Sequence, residues 1–108
     1  MSRSLAILLI LITPTSGGGM TPEAKVKKEV VKVLKEFGAY YFYPATHGYG
    51  RSGVPDIVAC VRGNFLGIEC KAGKNTPTAL QQKNLTDIAE AGGIALVINE
   101  KNIDELRS

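Results

Sequence analysis

Apolar positions recur at helical spacing at Val26, Val30, Leu34 and Phe37. Thr21-Pro22 just upstream supplies an N-cap threonine and a proline for the first helical position, and Gly38 stops the helix. Ala39–Tyr43 is aromatic and strand-like. Val54–Val61 and Asn64–Lys71 read as two strands around a tight turn at Arg62-Gly63. Thr76-Pro77 repeats the helix-start device, and Leu80, Leu85, Ile88 and Ala89 give the second helix its apolar stripe before Gly92-Gly93 ends it. Ile94–Ile98 is an unbroken apolar run of the kind a buried strand carries. Asn102 is placed to cap a last turn over Ile103–Arg107. The order helix, strand, strand, strand, helix, strand predicts a mixed α/β domain, helices packed on a small sheet.

Composition narrows the class. The chain has 108 residues, enough for one domain with its own core. Hydrophobic residues make up 44% and charged residues 21%, which excludes a disordered, collagen-like or coiled-coil chain. The net charge of +3 permits a polyanionic partner without demanding one. Outside the periodic region stands one apolar run, Leu5–Ile12, far shorter than the ~20 residues a bilayer span requires. Arg3 precedes it in the manner of a signal peptide, but no small-x-small cleavage site follows. Residues 1–19 are read as an extension outside the domain, upstream of a start at Met20, with a short edge strand as the alternative; residues 20–108 are the domain. No membrane partner is expected.

The chemistry concentrates in Val54-Pro55-Asp56 and Ile68-Glu69-Cys70-Lys71. A two-residue turn at Arg62-Gly63 sets Val61 opposite Asn64, Cys60 opposite Phe65 and, further down the ladder, Asp56 opposite Glu69. Alternation puts Lys71 on the face of Glu69, while Ile57, Ala59, Val61, Leu66, Ile68 and Cys70 form a wholly apolar face. Cys60 and Cys70 therefore fall on opposite faces, where a disulfide between them is geometrically disfavoured. With no C-x-x-C pair for zinc, the expected compartment is reducing and intracellular, the cytoplasm of a bacterium or of a bacterial host. Like charges in register destabilise a sheet, and such placement points to a shared cation or a shared proton. A hard divalent ion takes its oxygens from one or two carboxylates and water. Lys71 is suited to a phosphate oxygen or an attacking water; a structural salt bridge to either acid is the bland alternative. On the first helix Glu23 falls within the apolar arc, where an acid needs a partner; it either joins the cation site or complements the helix dipole.

Pro55-Asp56 followed by Glu69-Cys70-Lys71 resembles the motif of the PD-(D/E)xK nuclease superfamily. Within it the chain is similar to the virus-type replication-repair nuclease (VRR-NUC) domain, in particular the small stand-alone phage and bacterial forms. The text that carries the likeness is Gly53-Val54-Pro55-Asp56-Ile57, Phe65–Lys71, Thr78-Ala79-Leu80-Gln81 and Ala91-Gly92-Gly93, and it spans about Thr21 to Asn99. The resemblance implies a restriction-endonuclease-like core, α-β-β-β-α-β, with a small mixed sheet flanked by helices. It implies an endonuclease that hydrolyses DNA phosphodiester bonds with Mg²⁺ or Mn²⁺ and needs no other cofactor. By position Glu23, Asp56 and Glu69 correspond to the metal-binding acids, Lys71 to the catalytic lysine and Gln81 to the active-site glutamine; Cys70 can offer the ion its carbonyl. Gln81 is preferred to its neighbour Gln82 because it shares a helix face with Leu85 and Ile88; a plain polar residue at a helix start is the alternative. Stand-alone relatives act as homodimers on four-way junctions, so the implied partners are a second copy and branched DNA.

Other residues carry weaker signals. Lys25, Lys28, Lys32 and Lys35 form a basic stripe opposite the apolar arc, read as a solvated face. The glycine-rich loop His47–Gly53 runs into the strand that bears Asp56, so His47, Tyr49 and Arg51, with Lys74 beyond the second motif, are candidates for contacting nucleic acid. The run Tyr40–Tyr43 suits sheet core and rim, or a subunit interface. Two competing readings remain: a nucleic-acid-binding module that kept the fold without catalysis, and a plain α/β interaction domain whose acids pair with lysines.

Overall fold

The computed structural model describes residues 20–45, 48 and 50–107. The reading of residues 1–19, and His47 and Tyr49 of the glycine-rich loop, lie outside the described residues. Helix α1 spans Pro22–Glu36, strand β1 Tyr40–Phe42, β2 Ile57–Val61 and β3 Asn64–Cys70. Helix α2 spans Ala79–Glu90, β4 Ile94–Ile98, and a 3₁₀ turn Ile103–Arg107 follows. The element order is the one expected from the pattern.

The strands form one mixed sheet in chain order, antiparallel from β1 to β3, with β4 parallel to β3. The β2–β3 hairpin has the expected register: Val61 faces Asn64, Cys60 faces Phe65 and Ile57 faces Ile68. Arg62 and Gly63 carry φ of 51° and 85°, the two left-handed residues of a type I′ turn whose twist matches the strands.

Each face of the sheet receives one helix. The side chains of Ile57, Ala59, Leu66, Ile68, Cys70 and Ile98 meet Val26, Val30, Val33 and Leu34 of α1, with Leu106 of the 3₁₀ turn closing the cluster. The opposite face takes α2, and two glycines permit its approach. A Cβ at Gly67 would collide with Ile88 and lie 3.1 Å from Pro55 Cγ; one at Gly93 would lie 2.9 Å from Ile88 Cγ2. Ile88 is thus seated between β3 and the start of β4.

Four sequence expectations shift. Thr21 caps α1 as expected, accepting from Ala24 N at 3.1 Å, but α2 is capped by Thr78 rather than by Thr76-Pro77. Thr78 and Gln81 make a reciprocal capping box that only this start can supply. Phe37 is the C-cap of α1 and is 40% exposed; Val33 takes the core position instead, because the helix has already ended where Phe37 would turn inward. Leu80 and Ala89 lie exposed, and Leu80 covers the glycine-rich loop rather than the sheet. Finally, β4 is an edge strand in which Ile98 alone is fully buried, so an apolar run did not mean burial on both sides.

Candidate active site

Asp56 is the residue immediately before β2, and Glu69 and Lys71 bracket the end of β3. Local packing holds each in place. Pro55 is buried against Gly67, which sets the chain direction into Asp56. The Asp56 carboxylate accepts from Cys70 N through Oδ2 at 2.9 Å, extending the hairpin by one side-chain bond. Lys71 N donates to Ile98 O at 3.0 Å, fixing the residue against β4.

Glu69 is 1% exposed, unusual for an acid. Its Oε2 lies 3.3 Å from Lys71 Nζ, and its Oε1 is buried without a hydrogen-bond partner. Burial, and secondarily the Asp56 charge, push the Glu69 carboxyl above its ordinary value, with Lys71 and a backbone hydrogen bond from Asp56 opposing. Lys71, its side chain 13% exposed, also stands 4.0 Å from Glu23 Oε1. Glu23 itself, in the first turn of α1, remains 45% exposed.

Asp56, Glu69 and Lys71 converge, and Glu23 joins at the margin through Lys71. Cys70 points into the core, and burial pushes its thiol up to about 12. Its sulfur stays protonated, leaving only backbone groups to serve the site. Cys60 is exposed and Cys70 buried, and both are free, as their opposite faces required. Among the described residues no three His, Cys, Asp or Glu side chains cluster closely enough to hold a metal by themselves. The donor set nonetheless fits a hard divalent cation: one buried carboxylate oxygen lacks a partner, a second carboxylate adjoins it, and such ions draw several ligands from water.

Gln81 is half-buried and lines a hollow of about 480 Å³ together with Asp56, Lys27 and Tyr43. Its Oε1 accepts from Thr78 N at 2.9 Å, so the side chain that faces the site also closes the capping box. Gln82 is exposed. Arg51 pairs with Asp87 of α2, and Lys83, followed by Arg51, holds the Asp87 carboxyl below its ordinary value. Lys74 is exposed in the loop after β3 and does not line the hollow.

The roles of three residues escaped the sequence reading. Asn84 is buried and donates to Ser52 O at 3.0 Å and Leu80 O at 2.9 Å. Gly53, at φ +74°, fits beneath α2, where a Cβ would fall 2.6 Å from Leu80 Cγ. Together they clamp the loop that delivers Pro55-Asp56. A polar residue on the Leu80–Leu85–Ile88 side of α2 was the available signal for Asn84. Lys27 enters the hollow beside Asp56; its signal was a spacing of four from Glu23, which places both on one side of α1.

A four-stranded mixed sheet with a helix on each face, and acids and a lysine at the open end of its central hairpin, defines a restriction-endonuclease-like fold. Among solved structures a VRR_NUC domain matches with a TM-score of 0.69 and 22% identity, covering 82% of this chain and 96% of that one. The sequence profile of the archaeal Holliday junction resolvase (Hjc) family matches residues 14–102, and the chain belongs to that family. No curated protein matches the chain. The expected nuclease kinship is borne out in family and in fold, and the chain is a nuclease-type domain. Among the described residues no helix is long and apolar enough to cross a membrane.

Proposed function

We propose that the chain is a divalent-metal-dependent endodeoxyribonuclease selective for branched DNA, with a four-way junction as the leading substrate. The observation that carries this reading is Glu69: a buried carboxylate with one unpartnered oxygen, beside Asp56 and 3.3 Å from Lys71. A fold that needed only a salt bridge would gain nothing from that orphaned oxygen. The substrate class follows the name of the matched family.

Asp56 and Glu69 would hold Mg²⁺ or Mn²⁺, with Glu23 able to join on rotation from its half-exposed position. The ion supplies Lewis-acid stabilisation of charge on the phosphate and lowers the pKa of water. The Cys70 N–H fixes the orientation of the Asp56 carboxylate, so less freedom is lost when the site loads. Lys71, tethered through its backbone to β4, presents its ammonium to the phosphate oxygens, where added negative charge builds. Gln81, which lines the hollow together with Asp56, is suited to orient the attacking water or a phosphate oxygen.

A homodimer suits a two-fold symmetric junction. Supporting it, Tyr40, Phe42, Cys60 and Phe65 share the sheet face that carries α2, yet all four are exposed, Tyr40 to 72%. Such a bare aromatic patch is typical of subunit contacts. The deciding experiment is cleavage of a panel comprising a four-way junction, a flap, a nicked duplex and a plain duplex, with Mg²⁺, with Mn²⁺ and with EDTA. Junction cutting that EDTA abolishes is expected. Binding without cutting under every metal condition would favour the non-catalytic module instead.

A further inference from the structure

Five lysines of α1 differ in placement. Lys25, Lys28, Lys32 and Lys35 are exposed, as the stripe predicted, whereas Lys27 is half-buried and lines the hollow that holds Asp56 and Gln81. Lys27 enters none of the ion pairs among the described residues, although Glu23 stands one turn before it and Asp56 shares its hollow. Lys71 does not line this hollow; its ammonium is engaged by Glu69 and Glu23. A half-buried lysine outside every ion pair among the described residues, beside a site for a phosphodiester, is poised for an anion from outside. Tyr43 borders the same hollow, just past β1, and its ring meets Tyr41 edge-on with centroids 6.2 Å apart. Burial and Tyr41 push the Tyr43 phenol up, so it remains a hydrogen-bond donor at neutral pH.

We propose that Lys27, with the hydroxyl of Tyr43 from the same hollow, binds the backbone phosphate next to the one being cut. This inference rests on the nuclease reading and adds a substrate-positioning subsite to it: Lys71 addresses the reacting phosphate, and Lys27 fixes its neighbour and hence the register of the strand. The subsite is independent of base identity, as a structure-selective enzyme requires.

The test compares the wild-type chain with Lys27→Gln, Lys27→Arg, Tyr43→Phe and the solvent-face control Lys32→Gln. Binding to a fluorescent four-way junction is measured in EDTA between about 50 and 200 mM salt, where each phosphate contact contributes about 0.9 to the slope of log K against log salt. Lys27→Gln is expected to reduce that slope by about one contact and to weaken binding about tenfold at the same melting temperature. With metal present its KM rises about tenfold while kcat stays within about threefold. Lys27→Arg restores the slope, Tyr43→Phe weakens binding without changing it, and Lys32→Gln matches wild type. An unchanged slope in Lys27→Gln, in a protein whose wild type binds and cuts, overturns the subsite alone. Arginine failing to restore the slope overturns it in favour of packing. A wild type that neither binds nor cuts overturns the nuclease reading and the subsite with it.

Discussion

Replacing Glu69 by glutamine should stabilise the protein while abolishing cleavage. The side chain is 1% exposed and one of its oxygens has no partner. Leaving a buried polar group unsatisfied costs about 1–3 kcal/mol, and more when it is charged. The amide removes the charge, its own oxygen can still accept from Lys71 at 3.3 Å, and Lys71 retains Glu23 at 4.0 Å. A net gain of about 1 kcal/mol follows, or about 4–8 °C in melting temperature for a domain of this size. The pH dependence has a definite sign. The folded-state value of Glu69 lies above its unfolded value, so the protonated form is the one folding favours. That contribution is complete below the ordinary glutamate value and is lost as pH rises through the raised one, leaving the wild type handicapped at neutral pH. The stability gap to Glu69→Gln should therefore close on acidification before ordinary carboxylates titrate. Thermal melts across pH, with and without Mn²⁺, read all of this: the ion should raise the wild-type midpoint and leave the variant's unmoved. Breaking a buried ion pair that holds a fold together costs about 3–5 kcal/mol. A melting point lowered to that extent would assign Glu69 to the scaffold and refute the reasoning.

Asp56→Asn should reduce junction cutting by at least about a hundredfold while the melting point stays within about 4 °C, since the amide oxygen can keep the Cys70 bond; circular dichroism and a cleavage time course check both. Lys71→Ala should abolish cutting and also destabilise by about 1–3 kcal/mol, because it removes the ammonium paired with buried Glu69; denaturant titration reads the loss. Gly67→Val should cost about 1–3 kcal/mol by overpacking against Ile88 and Pro55, with activity falling as Asp56 shifts. Thr78→Ala and Gln81→Ala should lose similar stability, about 1 kcal/mol, by opening one capping box, yet only Gln81→Ala should lower kcat; equal kcat in the two variants would confine Gln81 to capping.

The hairpin was legible in the sequence because its determinants are local. A glycine at the second turn position fixed the register, the register fixed the faces, and the faces brought Asp56 to Glu69 and separated Cys60 from Cys70. Helix ends were less legible where two nearby residues could do the same job: Thr76 and Thr78 can both cap, and the choice depends on Gln81 reaching back. Angular arithmetic placed Glu23 on the side of α1 that reaches Lys71 but could not show that it would stay 45% exposed. The Arg51–Asp87 pair and the Asn84–Ser52 bond were invisible, because they join residues more than thirty positions apart. Lys27 was hidden by its own neighbours: four exposed lysines on the same helix made a fifth look like more of the same.

Asn84 has no chemistry to perform, yet it grips the loop from which Asp56 emerges. Screens that score function alone would therefore rank Asn84 among the reactive residues. An engineer seeking tolerant positions should judge them by what they brace, since proximity to the cut phosphate would mislead in both directions.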